Sequence, residues 1–325
     1  MININNTQAM DKEAIDFKNN GFAHFKSVLS AEEISIFRRE IARIIKEKPN
    51  QELGETSYAR GNILMRSEII TKLFLQEKVL DTIKKICGES FFVLPEISVM
   101  KSQYGGWHKD TTSVELFGYD FHKKEEFKVV NVAIYCQDNG EFGGGLDVVP
   151  GSHKKEDIYV DFHREKKENM MMTGGAPHQN AKSVSLLTQV KESAKKVIKT
   201  ILLKSGLLPA YYVQRHYAAN FPFPLDSNDT KQDRIHVPSK IGDIVIFDLR
   251  LDHKASWPQK PFNPELAPLK YVFFARCGAN NTATKEYRDY LFKRSETDLA
   301  YYCLKDYSIP ALANELSKKN NVTIL

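Results

Sequence analysis

Residues 242–253 read Gly242-Asp-Ile-Val-Ile-Phe-Asp-Leu-Arg-Leu-Asp-His253, an apolar, β-branched run opened by glycine. Counting back by two from His253 gives Leu251, Leu249, Phe247 and Val245, so one face of an extended chain is apolar and ends in an imidazole. The pattern predicts a strand whose inward row lines a β interior, with His253 closing it. Similar short runs bounded by glycine or proline recur at Phe91 to Met100, Lys128 to Tyr135, Leu146 to Val149 and Lys270 to Arg276. Several such strands with turn signals between them predict a mainly β fold, a β-sandwich or jelly roll, with flanking helices.

The N-terminal part supplies those helices. Ser30-Ala-Glu-Glu33 has the form of a capping box, and Ile34, Phe37, Ile41, Ile44 and Ile45 follow at helical spacing up to the stop at Pro49. An amphipathic helix of about four turns is expected there. Gly21-Phe-Ala-His-Phe25 reads as a short strand before it, and a second helix is expected from Ser67 to Ile86. Between Glu156 and Arg234 the strand rhythm breaks, with a methionine run at Met170 to Met172 and a helical pattern from Val184 to Leu203. That stretch is too long for a simple loop and predicts a helical and loop substructure, 156–234, inserted into one domain that spans 1–325.

Composition narrows the function classes. With 42% hydrophobic and 27% charged residues the chain is ordinary for a globular domain and unlike a disordered one. The 46 Lys and Arg are interspersed with 41 Asp and Glu, which argues against a one-signed stripe for nucleic acid. Cys87, Cys136, Cys277 and Cys303 lie far apart without a CxxC pair, so neither a zinc knuckle nor a disulfide framework is indicated. The first residues lack a basic stretch followed by an apolar one, and no run is long enough to cross a bilayer. The expectation is a cytoplasmic protein with no membrane span and no nucleic-acid partner, acting on a small molecule.

The chemistry is carried by His108-Lys109-Asp110, which follows Gly105-Gly106-Trp107. On extended backbone residues i and i+2 face one side, so the imidazole and carboxylate can address one metal while Lys109 turns away. A third ligand is then expected late in the chain on a neighbouring strand, and His253 ends the inward row there. Two histidines and one carboxylate on one face leave the opposite positions open, which suits iron(II) binding a chelating cosubstrate and dioxygen. The spacing itself does not choose between metals.

In this context the chain resembles the phytanoyl-CoA dioxygenase family. The likeness is carried in order by Gly21-Phe22 with Val28-Leu29-Ser30-Ala-Glu-Glu33, by Trp107-His108-Lys109-Asp110, by Gln137-Asp138-Asn139 with Gly143-Gly144-Gly145-Leu146 and Val149-Pro150-Gly151-Ser152-His153, and by Gly242-Asp243 to His253. The resemblance implies a double-stranded β-helix (a cupin-like jelly roll) in which His108, Asp110 and His253 hold Fe(II). It further implies an Fe(II)/2-oxoglutarate-dependent dioxygenase that converts 2-oxoglutarate and dioxygen while oxidising an unactivated C–H bond, typically by hydroxylation. A biosynthetic intermediate or lipid-like compound is the expected substrate.

One family feature is missing. The arginine that usually follows the distal histidine, to pair with the far carboxylate of 2-oxoglutarate, is replaced here by a proline-rich stretch, Trp257 to Pro264, and the next strand opens Leu269-Lys270-Tyr271. Lys270 and Arg276 share one strand parity, and Lys270 lies nearer the expected place; Arg276 and Arg250 are its rivals. Gln103 and Asn131 are polar residues near the metal strands that either touch the cosubstrate or satisfy backbone groups. The missing arginine also supports an alternative, a metal-binding β-barrel of the same fold without oxygenase activity.

Overall fold

The computed structural model describes residues 12–47, 58–60, 63–101, 106–139, 144–161, 234–256, 270–296, 304 and 307–325. The major sheet runs β1 (Phe22–Phe25), β7 (Ile244–Asp248), β4 (Val129–Tyr135), β9 (Tyr271–Ala279), β3 (Phe91–Lys101) and β10 (Thr323–Ile324), with β2 (Tyr58–Arg60) also paired to β3. The minor sheet runs β6 (Ile235–Val237), β5 (Leu146–Val148) and β8 (His253–Ala255). From β3 onward the chain passes between the sheets: β4 major, β5 and β6 minor, β7 major, β8 minor, β9 major. That winding, antiparallel throughout, is the double-stranded β-helix.

Period-two alternation sends each strand's side chains to two different cores. Ala133, Tyr135, Val245, Phe247 and Val272 of the major sheet meet Leu146, Val148 and Val237 of the minor sheet between the layers. The opposite row, including Val93, Val99, Val132, Ile134, Ile246 and Phe273, packs under helices α2 (Ala31–Glu47), α4 (Glu68–Phe74) and α5 (Glu77–Cys87). Phe37 and Phe74 approach the ring of Phe273 with centroids 5.2 and 5.1 Å apart, a contact worth about 0.5–1.5 kcal/mol each beyond burial. The remaining α-helices among the described residues are α1 (Lys12–Asn20), α3 (Ile63–Arg66), α6 (Thr112–Leu116), α7 (Thr282–Ser295) and α8 (Ala311–Lys319). The capping box at α2 forms as its sequence predicts: Ser30 N donates to Glu33 Oε2 at 2.7 Å and Glu33 N to Ser30 Oγ at 3.2 Å.

Two elements differ from the sequence reading. The helix expected over 67–86 is two, α4 and α5, because Gln76 adopts extended backbone as the cap of α5 and its Nε2 donates back to Leu73 O at 2.8 Å. The run 242–253 is likewise not one strand. β7 ends at Asp248, whose carboxylate accepts from Arg250 N at 2.8 Å and whose carbonyl accepts from Leu251 N at 3.0 Å. An aspartate that bonds its own backbone two residues on competes with the sheet ladder. The chain therefore crosses to the minor sheet, and His253 opens β8 instead of closing β7. The Val184 to Leu203 helix, the methionines at 170–172 and most of the 156–234 insertion lie outside the described residues.

Candidate metal centre

His108 sits at the rim of the minor sheet, joined to His253 by a reciprocal backbone bridge: His108 N to His253 O and His253 N to His108 O, both 3.0 Å. This pairing sets the imidazoles side by side, with ring centroids 4.3 Å apart. Asp110, two residues on, turns its Oδ1 to within 3.5 Å of His108 Nε2, and its Oδ2 lies 3.9 Å from His253 Nε2. The three residues thus offer ligand atoms all within 4.8 Å of one another. Lys109 points the other way, as alternation requires, and its buried ammonium donates to Ser152 O at 2.7 Å and Lys155 O at 2.9 Å.

The protonation states suit metal binding. His108 Nδ1 faces Gly106 O at 2.8 Å and His253 Nδ1 faces Leu251 O at 2.9 Å. A carbonyl only accepts, so each Nδ1 carries a proton, and in the neutral ring each Nε2 presents a lone pair to the site. Burial, and then the neighbouring His108, bring His253 down to about 4, which keeps it neutral. Burial alone would raise the Asp110 carboxyl; the charge of Arg276 and then the two imidazoles outweigh it and hold Asp110 well below the usual carboxylate range.

The cluster opens on a cavity of about 590 Å³ between the sheets, which Asn131, Lys270 and Arg276 also line. The three are not equivalent. Arg276 is committed locally: Nη1 donates to Asp110 Oδ2 at 2.6 Å and Nε to Glu96 Oε2 at 3.1 Å. Lys270 is 4% exposed, and burial lowers its ammonium to about 7. Asn131 is 7% exposed, and its Oδ1 has no hydrogen-bond partner among the described residues. Arg250 does not line the cavity; its guanidinium pairs with Asp248 at 2.7 Å. Gln103 lies outside the described residues. Glu96 and Tyr287, whose hydroxyl donates to Glu96 Oε2 at 3.1 Å, are site residues that the sequence reading missed. For Glu96 the signal was Pro95-Glu96 interrupting an apolar strand run.

The residues fit the group that such a cluster implies. The Asp110 carboxylate raises His108 against the lowering effect of burial, so a metal there would take the place of a proton on its Nε2; two imidazoles and an ionised carboxylate are donors for a divalent metal. A buried lysine in the same cavity calls for an anionic ligand beside it, and the unpartnered amide oxygen of Asn131 for a hydrogen-bond donor.

A double-stranded β-helix carrying a two-histidine, one-carboxylate cluster defines a class of metal-binding jelly rolls. Within it the chain belongs to the family described as phytanoyl-CoA dioxygenase, whose profile matches residues 17–257. It is 23% identical over 159 residues to an ectoine dioxygenase of Streptomyces anulatus, covering 44% of this chain and 51% of that protein. It is 25% identical over 153 residues to the ectoine dioxygenase of Nocardia farcinica, covering 42% and 49%. The chain thus spans about half the length of the curated relatives it matches. Among solved structures, HygX from Streptomyces hygroscopicus with nickel and 2-oxoglutarate bound superposes with a TM-score of 0.48 at 18% identity, covering 84% of this chain and 88% of that one. EctD from S. alaskensis with bound Fe gives 0.47 at 14% identity, covering 82% and 75%.

Proposed function

We propose that the chain is an Fe(II)/2-oxoglutarate-dependent dioxygenase that oxidises an unactivated C–H bond of a small molecule, either a biosynthetic intermediate or a lipid-like compound. The observation that carries this reading is the shared cavity: the His108, Asp110 and His253 cluster opens into the same space as the buried Lys270 and Asn131. Iron(II) bound there, with dioxygen and 2-oxoglutarate, would supply the oxidising chemistry, the keto acid leaving as succinate and carbon dioxide.

The chain's own residues have separate tasks. The Nε2 atoms of His108 and His253 and the Asp110 carboxylate hold the metal. Gly106 O and Leu251 O fix the tautomers that make this possible. Lys270 holds the far carboxylate of 2-oxoglutarate as a point charge where relatives use an arginine fork. Asn131 offers an amide to the cosubstrate. Phe247, whose ring centroid is 4.7 Å from that of His253, and Phe274 keep the inner wall apolar and exclude water. The same proposal takes 1–325 as one domain with 156–234 inserted, in the cytoplasm. No helix among the described residues is long and apolar enough to cross a membrane.

The alternative, a metal-binding barrel without oxygenase activity, draws on the absent arginine. Lys270 in the cavity wall weakens that ground by supplying a cation. Anaerobic addition of Fe(II) and 2-oxoglutarate separates the two: a keto-acid chelate gives a visible charge-transfer band that iron alone lacks. The band is expected for the parent and lost in His108→Ala and His253→Ala, each still folded. Iron binding without a band, and no 2-oxoglutarate consumption, would favour the barrel.

A further inference from the structure

Between the Val93–Cys277 and Ile97–Ala275 pairs of β3 and β9, the three residues Leu94, Pro95 and Glu96 stand across from the single residue Arg276. Proline cannot donate to the ladder and so belongs at such a bulge, and bulges re-aim side chains beside sites. Here the bulge sets Glu96 against the guanidinium, with side-chain exposures of 13% for Glu96, 11% for Arg276 and 14% for Asp110. Burying an arginine against one acid alone would leave Nε without an acceptor and would cancel the charge of that acid. Glu96 accepts from Nε, and the three groups together retain one net negative charge.

We infer that Glu96 is a positioning residue of the metal centre: it holds Arg276 so that Nη1 occupies Asp110 Oδ2, and it offsets the guanidinium so that Asp110 keeps its charge for the metal. The carboxylate is thereby fixed in rotation and presents one oxygen to the ion. Tyr287, donating to the same Glu96 oxygen, keeps Glu96 turned toward Arg276. Groups behind a ligand set its orientation and basicity, and losing one typically weakens metal binding by about 10–100-fold.

This inference rests on the metal reading of His108, Asp110 and His253, and the experiment separates the two. Ni(II), which needs neither 2-oxoglutarate nor turnover, is titrated calorimetrically into the full chain as parent, His108→Ala, Glu96→Gln and Glu96→Asp. Melting midpoints are recorded for the metal-free proteins and visible spectra for their Co(II) forms. Glu96→Gln keeps the shape and an acceptor but removes the charge, so Ni(II) affinity is expected to fall on the order of tenfold or more. Its Co(II) spectrum should change while its melting midpoint does not. Glu96→Asp, which keeps the charge, should retain at least threefold more affinity than Glu96→Gln. Ni(II) affinity in Glu96→Gln within twofold of the parent, with an unchanged Co(II) spectrum, would overturn the inference, as would an equal loss in Glu96→Asp. If the parent itself binds no better than His108→Ala, it is the metal reading that fails.

Discussion

Lys270 crosses the bare face of Gly144: a β-carbon built on Gly144 would stand 2.5 Å from Lys270 Cδ, and the glycine holds a φ of +79°. Side chain and turn are thus matched, since only a residue without Cβ lets the lysine stem pass. Gly144→Ala should displace Lys270 and add backbone strain of about 1–2 kcal/mol. The expected result is a half-saturating 2-oxoglutarate concentration raised in the same direction as in Lys270→Ala. For Lys270→Ala itself the loss should be about 1.5–3 kcal/mol of cosubstrate binding, as for a hydrogen bond to a charged group. Steady-state kinetics showing an unchanged requirement in both variants would remove Lys270 from the cosubstrate site.

The burial of Lys270 predicts opposite trends with pH. Its ammonium titrates near 7 when folded, against 10.5 for an ordinary lysine. Between these values the unfolded chain holds more protons, so this group's contribution to stability rises with pH. The carboxylates of 2-oxoglutarate, however, bind the ammonium form. Cosubstrate affinity should therefore be level below pH 7 and weaken by up to about tenfold per unit above it. In Lys270→Arg the charge persists and the profile should flatten. Calorimetric titration of the Ni(II)-loaded protein from pH 6 to 9 measures this; affinity that tightens as pH rises contradicts the role.

A second glycine constrains the fold. Gly242 has a φ of +89°, and a β-carbon there would lie 2.1 Å from Leu29 O. Leu29 N donates to Gly242 O at 2.9 Å, so the two backbones cannot separate without losing that bond. Gly242→Ala should destabilise the chain by about 3 kcal/mol or more, adding a steric displacement to left-handed strain. Urea unfolding that shows a change under about 1 kcal/mol would mean the loop yields more easily than this contact suggests.

What could be read from sequence divides along physical lines. Period-two rows are local, so the Val245 and Phe247 face, the Asn131 face and the common parity of Lys270 and Arg276 were visible without coordinates. The capping box at Ser30 and Glu33 was equally local. The turn at Asp248 was not, because its signal is one side chain bonding its own backbone inside an otherwise continuous apolar run. The commitment of Arg276 to Asp110 and Glu96 was invisible for another reason: it depends on register between β3 and β9, shifted at Pro95. Parity placed Arg276 inside the barrel but could not say which acid would meet it.

The unpartnered oxygen of Asn131 sets stability against function. Asn131 lies between Phe247 and Arg276 in the register of β4 with its neighbours, and its buried Oδ1 accepts no hydrogen bond among the described residues. An unsatisfied buried acceptor costs about 1–3 kcal/mol, and a leucine of similar size removes that cost while adding apolar contact with Phe247. Asn131→Leu should therefore melt at the same or a higher temperature than the parent in the metal-free state, by the equivalent of about 1 kcal/mol. Its 2-oxoglutarate affinity should fall, because the Asn131 amide N–H, the group able to donate to the cosubstrate's oxygens, is gone. If Asn131 were instead an ordinary structural residue, the leucine variant would lose stability and keep its affinity. Thermal melting of the metal-free protein and calorimetric titration of 2-oxoglutarate into the Ni(II)-loaded protein decide between these outcomes, since the two roles predict opposite changes in stability and a fall in affinity for one against no change for the other.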